Sequence, residues 1–311
     1  MMFLAKDFIE TAEKLVFAVV AQNLEQDKVL CFLRYVRGKT GQKKYATEEA
    51  NLFLQQHYPD YLHYSPVLDA HLHAVSVNRI IRHHQPKQRL QAILHTEQAD
   101  EVEHDLIVLC RLLQTHGLDL THCGVTGSLL IGAQQHSSDI DLVCYERGVF
   151  QHCRELVREL IAQNILQDLH EQDWQDSYQR RDCDLSFADY VWHEQRKFNK
   201  ALINGRKFDV SLINPCASLS TRYQKCGAIT LQAQVINDTA AFDYPAEFKL
   251  HHPHIDSVVS FTATYTGQAI KGEMVEVSGL VEQNPQGIKR IVVGSSREAH
   301  GEYIKVMQCS K

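Results

Sequence analysis

Hydrophobic positions early in the chain fall in short β-branched and aromatic runs. "LVFAVVAQ" (15–22) and "KVLCFLRYV" (28–36) flank the polar "NLEQD" and predict an antiparallel hairpin, with "QKKYA" (42–46) as a third strand. The pattern then turns helical in "TEEANLFLQQHY" (47–58), whose glutamates suit a helix N-terminus. "AVSVNRII" (74–81) predicts a short strand, and Pro86 is placed to begin a helix over "PKQRLQAILH". Apolar residues recur at helical spacing through 99–117 and stop at Gly117. A strand, turn and strand follow in 124–145, then an amphipathic helix over 148–166. Residues 167–184, crowded with Asp, Gln and Arg, predict an exposed excursion; 187–203 predicts another helix and 205–213 a strand.

After Asn214-Pro215 the texture changes to short alternating runs from "AITLQAQVI" to "EYIKVMQ", punctuated by Gly, Pro and Asn. These predict an all-β module, a small barrel or rolled sheet. The pattern thus divides the chain into a hairpin and helical part (1–98), a mixed core (99–214) and a β-rich module (215–311), an α+β fold.

Composition narrows the class. With 44% hydrophobic and 23% charged residues in 311, the chain is an ordinary globular one, and no apolar run is long enough to span a bilayer. "MMFLAKDFIETAEK" has no cleavage-site pattern, so no signal peptide is expected. Nine cysteines without a C-x-x-C pair argue against a disulfide framework or structural zinc and point to a reducing cytoplasm. The net charge of −6 argues against a global nucleic-acid footprint. The acidic excess lies in residues 101–214, with 18 acidic and 11 basic side chains.

Within that acidic segment stands "GVTGSLLIGAQQHSSDIDLVCY" (124–145), a Gly-Ser step followed by two aspartates in an apolar strand. Residues two apart in a strand face the same way, so Asp139 and Asp141 project together while Ile140 and Leu142 enter the core. Two such carboxylates repel unless a cation lies between them. Magnesium suits them, taking one or two carboxylates and completing its shell with phosphate oxygens and water, with manganese as the substitute ion. Gly127 permits close backbone approach to a phosphate, and Ser128 opens a turn whose N–H groups favour an anion. Taken singly, Ser128 is also an ordinary helix cap and Asp-x-Asp a solvated strand edge. Their order within about twenty residues, framed by two helices, favours the functional reading.

Gly127, Ser128, Asp139 and Asp141 together resemble the motif of the DNA polymerase beta-like nucleotidyltransferase superfamily. The chain also looks like an uncharacterised predicted nucleotidyltransferase family of archaea and bacteria, in flanking stretches such as "FLRYV" and "VGSSREAHGEYI". The resemblance implies a mixed sheet flanked by helices and a third carboxylate on a later strand, which "KFDVSLI" offers as Asp209. It implies two metal ions held by Asp139, Asp141 and Asp209, with Gly127 and Ser128 gripping the phosphates of a nucleoside triphosphate. The reaction implied is transfer of a nucleoside monophosphate to an acceptor that is a nucleic acid, a protein or a small molecule. A catalytically inactive nucleotide-binding or partner-binding protein on the same fold is the alternative.

Two basic stretches bear on substrate contact. In "WHEQRKFNK" (192–200), helical spacing groups Arg196, Lys197 and Lys200, which are candidates for the triphosphate or else a solvated face. "RIIRHHQPKQR" (79–89) contacts nucleic acid or is merely solvated. Seven of the 18 histidines lie between 57 and 95 and are expected at the surface. The β-rich module is a candidate oligonucleotide-binding barrel, though its charge is balanced and its aromatics suit core packing.

Overall fold

The computed structural model describes residues 2–38, 41–215, 221–294 and 299–307, and the fold is α+β. The predicted hairpin is present and has a short strand before it: β1 (Phe8–Thr11), β2 (Leu15–Glu25) and β3 (Lys28–Gly38). The β2–β3 turn is Gln26–Asp27, both left-handed with φ of 52° and 58°, the mirror-image turn that matches strand twist. β4 (Gly41–Lys44), α1 (Thr47–His57), β5 (Leu62–Ser65), β6 (Ala70–Ser76) and β7 (Ile80–His84) follow. The strands form one sheet in the order β5-β6-β3-β2-β1-β7, with β4 on β3. One core of this sheet packs Phe17 and Leu33 with Leu54 of α1 and Tyr61. Another packs Phe8, Val16 and Tyr35 against Leu130 and Ile131.

Of the seven histidines expected at the surface, His57, His71 and His95 are exposed and the other four are not. His73 is fully buried, accepting from the Leu33 amide and bonded to Asn51. His63, His83 and His84 pair with Glu25, Asp7 and Glu10 at 2.9, 2.7 and 3.1 Å. The cause is cross-strand pairing: β1 and β7 set Phe8 opposite His84 and Ile9 opposite His83, beside acidic neighbours.

α2 (Pro86–Leu94) and α3 (Glu101–Thr115) lead to a second sheet. α3 is capped by Asp100, which accepts from the Glu103 amide while Glu103 reaches back to the Asp100 amide. Then come β8 (Cys123–Val125), α4 (Gly127–Leu130), β9 (Ile140–Cys144) and α5 (Arg147–Ala162). The excursion expected at 167–184 contains α6 (Glu171–Arg181), which buries Trp174. The helix expected over 187–203 is shorter: α7 (Phe187–Gln195) stops, and its tail becomes β10 (Lys200–Ile203). Left-handed Phe198 (φ 50°) breaks the helical path, and Asn204-Gly205 (φ 52° and 76°) turns the chain into β11 (Arg206–Leu212). The sheet order is β10-β11-β9-β8, with β9 and β11 parallel and β8 antiparallel to β9. Gly124 in β8 is forced by packing, since a Cβ there would lie 2.7 Å from the backbone of Pro86.

The β-rich module comprises β12 (Gln224–Asn237), β13 (Ala246–His251), β14 (Ser257–Ser260), β15 (Met274–Gln283), β16 (Lys289–Val293) and β17 (Tyr303–Val306). Its order is β12-β13-β14-β16-β15-β17, and β12 also pairs with β15. Five strands therefore close into a ring in which only β14 and β16 run parallel. This is a small barrel of the Greek-key type found in oligonucleotide-binding folds.

The boundaries read from sequence fell after residues 98 and 214. By internal packing the chain forms two units that cut across both: Met1–Leu156 with Leu202–Ser220, and Val157–Ala201 with Thr221–Lys311. The first sheet and the β8–β9–β11 strands thus share one unit. Among the described residues no helix is long and apolar enough to cross a membrane.

Candidate active site

The Gly-Ser step lies at the end of β8. Thr126 is extended, and its amide donates to the Asp141 carbonyl at 2.9 Å, extending the β8–β9 ladder. Gly127 then adopts φ +67° and opens α4. A Cβ on Gly127 would sit 2.1 Å from Asp141 Oδ2, so this carboxylate leans against the bare glycine backbone. Glycine is required here for both reasons, left-handed φ and the space that Asp141 fills. Ser128 is the second residue of this single helical turn, and its carbonyl accepts from the Ala133 amide at 2.9 Å. The next residues, Leu129 and Leu130, are buried and hold the turn down. Arg89 fixes it from outside, donating to the Leu129 carbonyl at 2.8 Å and to Glu103 at 2.6 Å.

Asp139 and Asp141 enter through a loop that is clamped. Arg206 donates to the carbonyls of His136 and Ser138 at 2.6 and 2.9 Å and pairs with buried Asp105 at 2.6 Å. Asn204 adds a bond to Asp105 at 2.8 Å. On β9, Asp141 is half-buried between buried Ile140 and Leu142, and β11 repeats the pattern with Asp209 between Phe208 and Val210. The parallel register pairs Asp209 directly with Asp141. Neighbours so paired share a face of the sheet, so Asp209 stands beside Asp141 and away from the core.

The electrostatics agree with that closeness. The Asp141 carboxyl is pushed up to about 6, first by burial and then by Asp209, with Asp139 adding to the rise. Lys6 and Lys44 oppose it. The donor chemistry fits a hard cation, being carboxylate on neighbouring strands with no thiolate or imidazole among the three. The carboxylates stand side by side without converging: among the described residues, no three His, Cys, Asp or Glu side chains form a group that could hold a metal ion.

The chain is 32% identical over 335 aligned residues to the uncharacterized protein MJ1086 of Methanocaldococcus jannaschii, an alignment covering 97% of this chain and 98% of that protein. The chain belongs to the MJ1086 family. Neither a protein-family model nor a solved structure matches it. Kinship with MJ1086 therefore establishes the family along the whole chain and leaves its chemistry to be argued from the site.

In this family member Gly127 and Ser128 open the turn after β8, Asp139 directly precedes β9, and Asp141 and Asp209 stand in register on β9 and β11. Arg196, Lys197 and Lys200 belong to the other packing unit and are engaged within it. Arg196 pairs with Glu273 at 2.5 Å and stacks over Trp192. Lys197, 2% exposed, is bonded to Glu194 and to the Thr264 carbonyl at 2.8 Å, and Lys200 also bonds Glu194. In the 79–89 stretch, Arg79, His83, His84 and Arg89 likewise serve Glu13, Asp7, Glu10 and Glu103, while Lys87 lies over Tyr145. Ser295, Ser296 and Arg297 of the "VGSSREAHGEY" stretch lie outside the described residues.

The sequence reading missed Lys6, Thr126 and Arg206. Thr126 Oγ1 donates to the Lys6 carbonyl at 2.7 Å, and the Lys6 amide donates to the Val19 carbonyl at 2.9 Å. The Lys6 ammonium donates to Ser211 Oγ on β11. Arg206 carried a usable signal, a basic residue three before Asp209 at the start of the predicted strand. Lys6 carried none, because only the fold connects residue 6 to residue 211.

Proposed function

We propose that this protein transfers a nucleoside monophosphate from a nucleoside triphosphate to an acceptor, with magnesium. The observation that carries the reading is the registered pair Asp141–Asp209 on parallel strands, with Asp141 seated against left-handed Gly127. Carboxylates at that spacing are costly unless a cation is bound, and burial raises the cost. The chain keeps them together with a glycine that no other residue could replace.

In this reading Asp139, Asp141 and Asp209 would hold magnesium or manganese. The metal would supply charge neutralisation at the triphosphate and activation of the attacking hydroxyl. Asp209, on β11, would assist deprotonation of the acceptor. The Gly127–Ser128 backbone would face the phosphates, and the Arg206 clamp would hold the 136–138 loop so that Asp139 meets the same face. Seven described cysteines, all free, fit a reducing cytoplasm.

The test is incubation with each α-labelled nucleoside triphosphate and magnesium, with and without RNA, following pyrophosphate release and label transfer. Asp139→Ala and Asp141→Ala should abolish both; unchanged turnover in those variants would sink the assignment. The unconverged carboxylates favour one second reading, a nucleotide-binding protein without turnover. Tight, magnesium-dependent triphosphate binding with no pyrophosphate release in any condition would select it.

A further inference from the structure

We propose that Lys6 is the cation that binds the triphosphate tail at this site, an inference that rests on the nucleotidyl-transfer reading. Lys6 comes from the turn just before β1, far from the motif in sequence, yet it is tied to both halves of the site. Its carbonyl accepts from Thr126, the residue before Gly127, and its ammonium donates to Ser211, two residues beyond Asp209. Residues 209 and 211 alternate with buried Phe208, Val210 and Leu212, so the ammonium reaches the face of β11 that carries Asp209.

Two further observations separate this from a residue that merely fills space. First, Lys6 (φ 70°) is the third residue of a turn closed by the Asp7 amide donating to the Leu4 carbonyl at 3.1 Å. The Thr126 hydroxyl and the Val19 carbonyl, each bonded to the Lys6 backbone, anchor that turn against β8 and β2. Second, the ammonium's hydrogen bond goes to a neutral hydroxyl, so its charge is not neutralised by that partner. A triphosphate brings more negative charge than its metal ions cancel, and a lysine point charge is a common complement to it. Lys6 meets that need from within the same packing unit.

The experiment measures binding to the full chain by calorimetry, for wild type, Lys6→Ala and Lys6→Arg. The probes are α,β-methylene nucleoside triphosphates of the four bases, the matching monophosphates and inorganic tripolyphosphate, all with magnesium. Loss of one charge-assisted contact should weaken triphosphate and tripolyphosphate binding at least about tenfold in Lys6→Ala, with monophosphate binding changed less than about twofold. Lys6→Arg should retain most of the affinity. Manganese binding without nucleotide, read by electron paramagnetic resonance, should persist in Lys6→Ala. Equal triphosphate affinity in Lys6→Ala and wild type overturns the Lys6 assignment alone. So does an equal loss for triphosphate and monophosphate, or an Arg variant as weak as the Ala variant. A wild-type chain that binds neither triphosphate nor manganese instead overturns the nucleotidyl-transfer reading, and this inference with it.

Discussion

Asp141→Asn is expected to stabilise the protein in EDTA above neutral pH while abolishing the magnesium binding proposed for it. The Asp141 carboxyl titrates at about 6 against an ordinary 3.8, raised by burial first and Asp209 second. The difference of about 2.2 units corresponds to about 3 kcal/mol at 1.36 kcal/mol per unit. A raised carboxylate pKa means the folded chain keeps its proton in a window where the unfolded chain has lost it. Stability therefore falls as pH rises from 3.8 to about 6, and the full cost is present above that window. Asparagine carries no charge and escapes the cost.

Urea unfolding in EDTA from pH 4 to pH 8 reads this out as a difference between the two proteins. The difference is needed because buried His73 and His193, both lowered to about 4 by burial, add an opposite trend common to wild type and variant. The variant's advantage should grow from near zero at pH 4 to as much as about 3 kcal/mol at pH 8. A variant no more stable at pH 8 than at pH 4, relative to wild type, would refute the electrostatic reasoning. Magnesium should then stabilise wild type by about 2.7 kcal/mol at a hundredfold excess over its dissociation constant, and leave Asp141→Asn unmoved.

Gly127→Ala should cost about 1–2 kcal/mol for the left-handed backbone and displace Asp141, abolishing manganese binding; a fully retained metal affinity would show that the contact is relaxed without consequence. Arg206→Met breaks a buried pair and leaves Asp105 uncompensated, so urea midpoints should report a loss of about 3–5 kcal/mol. Its partner change Asp105→Leu should recover much of that stability without restoring turnover, since the carbonyls of His136 and Ser138 remain unclamped. In the other unit, burial alone would raise the Glu194 carboxyl, but Lys197 and Lys200 hold it down at about 2. That contribution is present above pH 4.5 and lost as pH falls toward 2, so Glu194→Gln should cost about 3–5 kcal/mol at neutral pH and flatten the acid limb of the unfolding profile.

What the sequence revealed of this site follows from how local each feature is. Gly127, Asp139 and Asp141 were legible because a turn and one strand place them within fifteen residues. Asp209 was legible as a carboxylate between apolar neighbours, and the β9–β11 register supplies the pairing that spacing alone left open. The helix expected over 187–203 failed at a signal that was present: Asn204-Gly205 is the dipeptide of a tight hairpin, and the strand before it was absorbed into the helix. His63, His73, His83 and His84 were misjudged because composition says nothing about cross-strand partners. Whether His83 is exposed depends on Asp7 standing across a strand pair, 76 residues away.

The same distance argument changes what the first sheet is for. Read from sequence, residues 1–98 formed a separate region, but their packing makes them a wall of the candidate site. Tyr35 and Phe8 hold Leu130 and Ile131, which seat the Gly127 turn, and Lys6 delivers its ammonium to the β11 face. An isolated strand pair bearing Asp141 and Asp209 would be destabilised by its own charges. Nearby Lys6 and Lys44 partly offset that repulsion before any metal binds. Asp141 nevertheless remains raised to about 6, by burial first and by Asp209 second. That residual cost is what a bound cation would relieve, so stability and ion binding should be linked through this one carboxylate.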